Sequence, residues 1–527
     1  MKTKFILFGL LIFAASYRVS LVNHPFWIDE FSSAIQARLI NTYGLVQFFQ
    51  QTDYYAEPNN ILTHLLIAAS FNLFGEAEWA ARMPFMILGS LVPIFLFLVT
   101  KQLWTQKTAL VAALLSSTSY FMITWSRQAR GYALQQLLLL LLIYSYLQIK
   151  IKSKYRLHVP LFIIFSVLGV LTHYFFGIFV VILLADLVIQ NRKLLRDRWK
   201  LLLVLTVGLM SLFFFLQLPQ NLLSTVLNFS KGFTNNLWYY HALLWREETI
   251  ITLFAALGIL ISVLRQPRLP HQIAGLIVAH LGLIIFFVPP YTSRYVAPIF
   301  PLLILFAAVF IVKFAEWTAK EAKHPQLAGI LAIIITGFVI LNGHMFTASP
   351  RSFYSVNHVM RDIALVDYSQ VYQRITDATS SYEDVAVIDT WIDRSRWYLG
   401  QNYRPLYWFR WLNQNFTING LGTSTPVQKA DGGGYSVPLT GNPPVMLVSS
   451  LDDLFVVLEH HDHGFIWIDD TTMSAEVIDY AKNNFHLEIF LDHYSPDDNP
   501  YSVWPGTLYS WGFTDIQDSN SNAISKE

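Results

Sequence analysis

Lys2-Thr-Lys4-Phe5-Ile-Leu-Phe-Gly-Leu-Leu-Ile-Phe-Ala-Ala-Ser-Tyr17-Arg18-Val-Ser-Leu-Val22 runs without a break into Asn23-His24-Pro25-Phe26-Trp27-Ile28-Asp29-Glu30. Phe5 to Val22 approaches the ~20 apolar residues that cross a bilayer, and an acidic pair stands directly behind it. A charged side chain at a bilayer centre costs about 2.5–3.5 kcal/mol on insertion scales, less near the interface, and those that occur mark function. Lys2 and Lys4 ahead of the run resemble the start of a secretory signal. Tyr17-Arg18 is, however, a poor small-residue cleavage site, and cleavage would discard the anchor of the acidic loop. The run reads as a signal-anchor.

The same pattern repeats along the chain. Charged residues make up 13% and hydrophobic residues 54% of the sequence, against about 25% charged in a soluble domain, so this is a polytopic membrane protein. A net charge of +1 and the lack of a basic tail give no sign of a nucleic-acid partner. Without cysteine, disulfides and thiolate metal sites are excluded.

Apolar runs occur near residues 5–22, 60–74, 83–99, 109–125, 132–149, 159–172, 174–190, 201–218, 250–264, 273–288, 296–312 and 327–343. Basic clusters decide which of them span. They sit at Lys101/Lys107, Lys150/Lys152/Lys154/Arg156, Arg192/Lys193/Arg196/Arg198/Lys200, Arg265/Arg268 and Lys313/Lys320/Lys323. All fall inside, with Lys2 and Lys4, only if Asn60–Phe74 lies in or dips into the outer interface. Its short length and its polar Asn60, Thr63, His64 and Asn72 suit that placement. The expectation is about eleven spans, with the N-terminus inside and a first outer loop over 23–82.

On the outer side this topology gathers Asp29-Glu30, Tyr54-Tyr55-Ala56-Glu57-Pro58-Asn59-Asn60, Ser126-Arg127-Gln-Ala-Arg130-Gly-Tyr132, the His173-Tyr174 turn, 217–248 and Pro289-Pro-Tyr291-Thr-Ser-Arg294-Tyr295. Beyond Ala348 the apolar runs shorten to strand length, as in Asp384–Asp389, Val445–Ser449 and Gly464–Asp469, with helix-compatible stretches at Leu451–His460 and Ser474–Asn484. That alternation predicts a small α/β domain, outside the cytoplasm by the odd number of spans. Asp431–Gly434 and Thr440–Pro444 read as loops. The domains are therefore 1–348, a transmembrane domain, and 349–527, a soluble extracytoplasmic α/β domain.

A carboxylate at the outer membrane face can act as general base, deprotonating an acceptor as it attacks an anomeric carbon. Asp29 and Glu57 are the candidates, with Glu30 beside them. The competing explanation for Asp29-Glu30 is an acid-favouring helix N-terminus, and for Glu57 a loop charge before Pro58. Arginines at outer span ends offer a planar fork to a lipid-linked phosphate. Arg127, Arg130 and Arg294 qualify, against the alternative of snorkelling to lipid headgroups. Tyr54, Tyr55, Tyr132, Tyr291 and Tyr295 can stack on sugar or prenyl chain, or form an interfacial belt. His460, His461 and His463 with Asp462 lack helical i, i+4 spacing and a second cluster, and read as surface histidines.

Five pieces in order resemble a family: Trp27-Ile-Asp29-Glu30; Glu57-Pro58-Asn59-Asn60; Leu73-Phe-Gly75 through Glu78-Trp-Ala-Ala-Arg82-Met-Pro84; Ser126-Arg127-Gln-Ala-Arg130-Gly-Tyr132-Ala; and Ser293-Arg294-Tyr295-Val-Ala-Pro298. Together, over about Phe5 to Lys313, they resemble the GT-C fold glycosyltransferases that use polyprenyl-phosphate sugars. The nearest group is the superfamily of protein O-mannosyltransferases and aminoarabinose transferases. The resemblance implies a first outer loop with juxtamembrane helices, a base at Asp29 and a second loop acid at Glu57. Pro58-Asn59-Asn60 departs from the family's double proline with its basic residue.

The expected function is inverting transfer of a sugar from a polyprenyl-phosphate donor to an extracytoplasmic acceptor, protein, lipid or glycan. The enzyme would sit in the plasma (inner) membrane among its lipids. Asp29 is the base, Glu57 positions the acceptor, and Arg127, Arg130 and Arg294, with Tyr132, Tyr295, Asn59 and Asn60, bind substrate. No cofactor is required, no metal ligand is assigned, and the Asp29-Glu30 pair leaves room for a divalent ion. The competing functions are an oligosaccharide ligase using a diphosphate-linked donor and a non-catalytic transporter or envelope assembly protein.

Overall fold

Apolar runs broken by polar turns become helices through the first two-thirds of the chain, and short buried runs become strands after it. The computed structural model describes residues 2–19, 25–50, 60–190, 234–265, 269–288, 292–342, 367–400, 402–409, 417–420, 423–426, 428–429, 435–439, 442–469, 473–491 and 506–513. In chain order the first helices are α1 (Lys2–Val19), α2 (Ile28–Tyr43), α3 (Leu45–Gln50), α4 (Ile61–Phe74), α5 (Glu78–Leu103), α6 (Gln106–Thr118), α7 (Tyr120–Ser126), α8 (Tyr132–Lys152), α9 (Tyr155–Thr172) and α10 (Gly177–Gln190).

Two compact units result. One takes Met1–Asn23 with Glu57–Asp362, the other His24–Ala56 with Ile363–Glu527. The sequence division at 348/349 kept the whole first loop with the membrane helices. In the structure α2 and α3 belong instead to the unit built around the C-terminal sheet.

The membrane unit is a helical bundle in which α5 packs on α1, α4, α6 and α8. Among the described residues five helices are long and apolar enough to cross a membrane: Glu78–Leu103, Tyr132–Lys152, Tyr155–Thr172, Leu269–Phe286 and Ser293–Glu321. A sixth forms if Leu237–Glu247 and Thr249–Leu264, bent by 101°, are one broken span. The other expected spans correspond to α1, to α6 continued by α7, and to the shorter apolar helices Tyr174–Ile189 and Pro325–Leu341. The run 201–218 lies outside the described residues.

Helix α6 ends at Ser119, whose Oγ then accepts the Met122 N–H at 3.4 Å and starts α7. With 14 residues, α4 is about 21 Å long at 1.5 Å per residue, short of a ~30 Å hydrocarbon core. It buries Ile61, Thr63, His64, Ile67, Ala68, Ser70 and Phe71. Elsewhere Gly258 lets Thr249–Arg265 meet Phe300–Glu321 at backbone distance, since a Cβ there would stand 1.9 Å from the Phe306 carbonyl oxygen. Small residues permit such approaches between membrane helices.

In the second unit an eight-stranded sheet has the order β5-β6-β7-β2-β1-β8-β10-β9. Its centre is parallel: β1 (Ala386–Asp389) lies between β2 (Leu406–Phe409) and β8 (Gly464–Asp469), and β2 pairs with β7 (Asn442–Val448). The flanks are antiparallel, β6 (Tyr435–Leu439) and β5 (Gln428–Lys429) on one side, β10 (Gly506–Trp511) and β9 (His486–Leu491) on the other. A separate hairpin joins β3 (Thr417–Gly420) and β4 (Thr423–Pro426).

Helices Leu451–His460 and Ala475–Asn484 match the two helix-compatible stretches, each started by a serine, Ser450 and Ser474, accepting a backbone N–H. Asn442-Pro443-Pro444 corrects the loop expected there, because β7 begins at Asn442. Proline lacks an N–H to donate. These two fall where β7 has not yet met β2 and its pairing with β6 shifts register. Asp431–Gly434 lies outside the described residues.

Candidate active site

In the membrane unit, the candidate residues sit where helices break. Helix α7 stops at Arg127, whose N–H reaches the carbonyls of Ile123 and Thr124, and α8 begins at Tyr132. The turn between them is clamped. A Cβ on Gly131 would lie 2.5 Å from Thr63 Oγ1 and 2.9 Å from Thr172 Cγ2, so only glycine fits between the ends of α4 and α9.

That break sends its two arginines different ways. Arg127 is 1% exposed, and its guanidinium donates to the Tyr17 carbonyl near the end of α1. Arg18 beside it donates to Ala14 O at 2.9 Å, Ser116 O at 3.3 Å and Ser117 O at 3.5 Å. Both cations thus serve the carbonyl ends of helices, which attract positive charge. Arg127, expected as a phosphate ligand, braces α1 against α7 in this structure. Tyr132, expected at the substrate, is 6% exposed and its ring packs edge-on against Trp125 at 4.8 Å.

Arg130 and Arg294 are half-buried, and both act electrostatically on His173. Burial pushes the His173 imidazole down to about 3, and Arg130, His280 and Arg294 add to the shift. Arg294 stands on the 3-10 segment Ser293–Ile299. Three bonds fix that segment: His280 Nε2 to Tyr295 O at 2.7 Å, Gln136 Nε2 to Ala297 O at 3.0 Å, and Tyr240 Oη to Thr292 O at 3.4 Å. Tyr295 is half-buried, edge-on to Phe175 at 5.4 Å and 6.3 Å from His173. Asn60, half-buried, precedes α4 as its N-cap. Glu57, Asn59, Tyr54, Tyr55 and Tyr291 lie outside the described residues.

Asp29 and Glu30 occupy the first turn of α2, in the other unit. Glu30 is fully buried and its carboxylate accepts the Trp27 N–H at 3.3 Å. This is the returning half of a capping box, so Glu30, expected beside the base, has a structural task at the start of α2. Asp29 stays half-exposed, and its backbone carbonyl accepts from Ser33 Oγ at 3.3 Å.

Aromatic contacts hold α2 to the α/β unit. Phe26 packs on Trp397 at 5.0 Å, and Phe31 on Tyr398 at 5.8 Å and Tyr368 at 6.0 Å. Arg38 lies 4.6 Å over the Trp397 ring and donates to Arg396 O at 2.9 Å. The segment that receives α2, Ile392–Leu399, follows the carboxyl end of β1. Strand β1 is where the sheet order reverses, and crevices at such points bind ligands in open α/β folds.

Here the crevice is closed by its own side chains. Asp389 and Arg394 form a buried ion pair, and Tyr372 Oη and Ser395 Oγ also donate to Asp389. Burial alone would raise the Asp389 carboxyl, but Arg394 and these hydrogen bonds hold it below the usual carboxylate range. A lowered folded value means the stabilisation is full above the unfolded carboxylate range and drains away as pH falls through the folded value. Asp389→Asn leaves Arg394 buried without its counter-ion, which costs about 3–5 kcal/mol. Limited proteolysis of the full-length protein over a temperature series should show residues 363–527 opening at lower temperature. An unchanged profile would mean the pair contributes nothing.

His461, one of the metal-like histidines, uses both ring nitrogens within the protein, on Asp384 Oδ2 and Tyr407 Oη, each at 2.7 Å. Among the described residues no three His, Asp or Glu side chains are grouped to hold a metal. Sequence reading noted the His173-Tyr174 turn without giving it a role, and passed over His280 and the Asp389–Arg394 pair. A histidine at the junction of two apolar runs was the available signal for the first.

A bundle of apolar helices followed by a mixed α/β unit, with the fold likeness given below, defines a GT-C fold membrane protein. Residues 57–216 match the family model described as dolichyl-phosphate-mannose-protein mannosyltransferase. Among solved structures, ArnT from Cupriavidus metallidurans in the apo state is similar over 97% of this chain and 98% of its own, with a TM-score of 0.57 at 12% identity. The same protein bound to undecaprenyl phosphate matches over the same shares, again with a TM-score of 0.57 at 12% identity. A search of curated proteins gives no match.

Proposed function

We propose that this protein is a membrane glycosyltransferase that takes a sugar from a polyprenyl-phosphate donor and passes it, with inversion, to an acceptor outside the cytoplasm. The observation that carries this reading is the placement of Arg130 at the break between α7 and α8 and of Arg294 on the 3-10 segment Ser293–Ile299, far apart in sequence, with the charges of both acting on His173 at the end of α9. Paired guanidinium forks suit a phosphate leaving group, whose developing charge is the main thing to stabilise in such a transfer. The match of residues 57–216 to the mannosyltransferase model, and the likeness to a fold solved with undecaprenyl phosphate, support the same donor class.

Asp29 is assigned the general base and Glu57 the positioning of the acceptor. Arg130 and Arg294 take the phosphate, with Tyr295, Asn59 and Asn60 lining the substrate. Purified protein supplied with polyprenyl-phosphate sugars and envelope extract should release free polyprenyl phosphate, and mass analysis of envelope glycans with and without the protein names sugar and acceptor. Identical glycans in both cells would overturn the reading. Consumption of a diphosphate-linked donor alone would make the protein a ligase instead.

The sidedness is tested separately. Reporter fusions after Lys152, Arg196 and Lys320 should read cytoplasmic, and fusions after Asn235 and Ser380 external, as the basic clusters require. A cytoplasmic signal from Ser380 would put the α/β unit on the wrong side for this chemistry.

A further inference from the structure

His173 closes α9 in extended backbone, at φ −168° and ψ 133°, and its Nδ1 accepts the Phe175 N–H at 3.2 Å. That bond starts the 3-10 turn Tyr174–Phe176 and leaves the ring proton of the neutral imidazole on Nε2. The ring is held in place by stacking on Tyr174 at 4.7 Å and by Phe175 at 4.5 Å. Tyr295 borders it at 6.3 Å. Among the described residues the hydrogen bond of this side chain engages Nδ1 alone, and the half-buried ring offers its Nε2–H edge to no protein acceptor.

We propose that His173 donates its Nε2–H to a phosphate oxygen of the lipid-linked donor, beside the forks of Arg130 and Arg294. This rests on the lipid-phosphate reading above. The chemistry fits the surroundings. Two arginines already supply the charge, and a third cation among them would be repelled. Burial and the two arginines keep the ring neutral at working pH, so it adds a directed donor without adding charge. A phosphate oxygen has lone pairs to accept it, and a bond to an ionised acceptor is of the stronger, charge-assisted kind. The fixed tautomer also bars His173 from delivering a proton through Nδ1. Its task is to bind and orient the phosphate.

Two substitutions separate the phosphate contact from a merely structural role, because each keeps a different nitrogen's function. His173→Asn places an acceptor near Nδ1 and preserves the Phe175 turn, but has nothing at the Nε2 position. His173→Gln places an amide donor near Nε2 and lacks the Nδ1 acceptor. Binding of a polyprenyl monophosphate, with the uncharged polyprenol as control, is measured on the full-length protein in lipid nanodiscs. We expect His173→Asn to weaken phosphate binding roughly 10- to 100-fold, the range of a hydrogen bond to a charged group. His173→Gln should recover most of that loss, and polyprenol binding should not change in either.

The reverse order, with Asn near wild type and Gln impaired, would show a turn-forming residue only and overturn the proposal. If Arg294→Ala weakens binding while His173→Asn matches wild type, the His173 assignment fails and the donor reading stands. If wild type binds the phosphate no better than the polyprenol, the donor reading fails and His173 with it.

Discussion

Asp29→Asn should lower sugar transfer by roughly 10²–10⁴-fold, the range for removing a positioned general base, while leaving the protein folded. The folding half of that expectation comes from the division of labour at the start of α2. Glu30, not Asp29, accepts the Trp27 N–H, and the helix is fixed by Phe26, Phe31 and Arg38 against Trp397, Tyr398, Tyr368 and Arg396. The Asp29 backbone carbonyl accepts from Ser33 Oγ, and asparagine keeps both that carbonyl and the size of the side chain. Donor binding should persist as well, because the phosphate is assigned to other segments. Glu30→Gln should do less to transfer, since an amide oxygen still accepts the Trp27 N–H. The measurement is transfer rate and donor affinity on the same purified sample. Near-normal transfer would sink the assignment of Asp29 as base, and joint loss of binding and transfer would make it a donor-site or structural residue.

What sequence could and could not reveal follows from the range of the interactions involved. Helices Leu451–His460 and Ala475–Asn484 were legible because their signals are local, a serine cap followed by an apolar stripe. The central strands were legible because burial on both faces leaves unbroken apolar runs, as in β1 and β8. The carrier of α2 was not legible. Arg38 bonds a carbonyl 358 residues away, and no pattern within the first loop announces that partner.

Arg127 and Arg130 illustrate the same limit over three residues. Both follow an apolar run and both look like cations at a membrane edge. The chain breaks between Ser126 and Tyr132, so one guanidinium turns to the Tyr17 carbonyl and the other acts on His173. Sequence spacing carries no information on that choice, because it depends on where α1 and α9 end in space.

Arg294→Ala is the second large effect expected. With donor limiting, kcat/KM should fall by about 10²–10³-fold, the usual loss when one group that stabilises a developing oxyanion is removed. Arg294→Lys should recover part of it, because lysine keeps the charge and loses the planar two-point fork. The backbone should not follow the side chain. His280 holds the Tyr295 carbonyl, Gln136 the Ala297 carbonyl and Tyr240 the Thr292 carbonyl. The 3-10 segment is therefore fixed on both sides of position 294 by bonds that alanine leaves intact, and a collapse of the site is not expected to mimic a lost phosphate contact. The alternative is that Arg294 only reaches lipid headgroups. That alternative predicts equal kcat/KM for wild type and Arg294→Ala at limiting donor, with the variants differing only in how strongly the protein retains anionic lipid. A graded series of wild type, Lys and Ala in kcat/KM, at constant thermal stability, is the result that a phosphate contact produces and headgroup snorkelling does not.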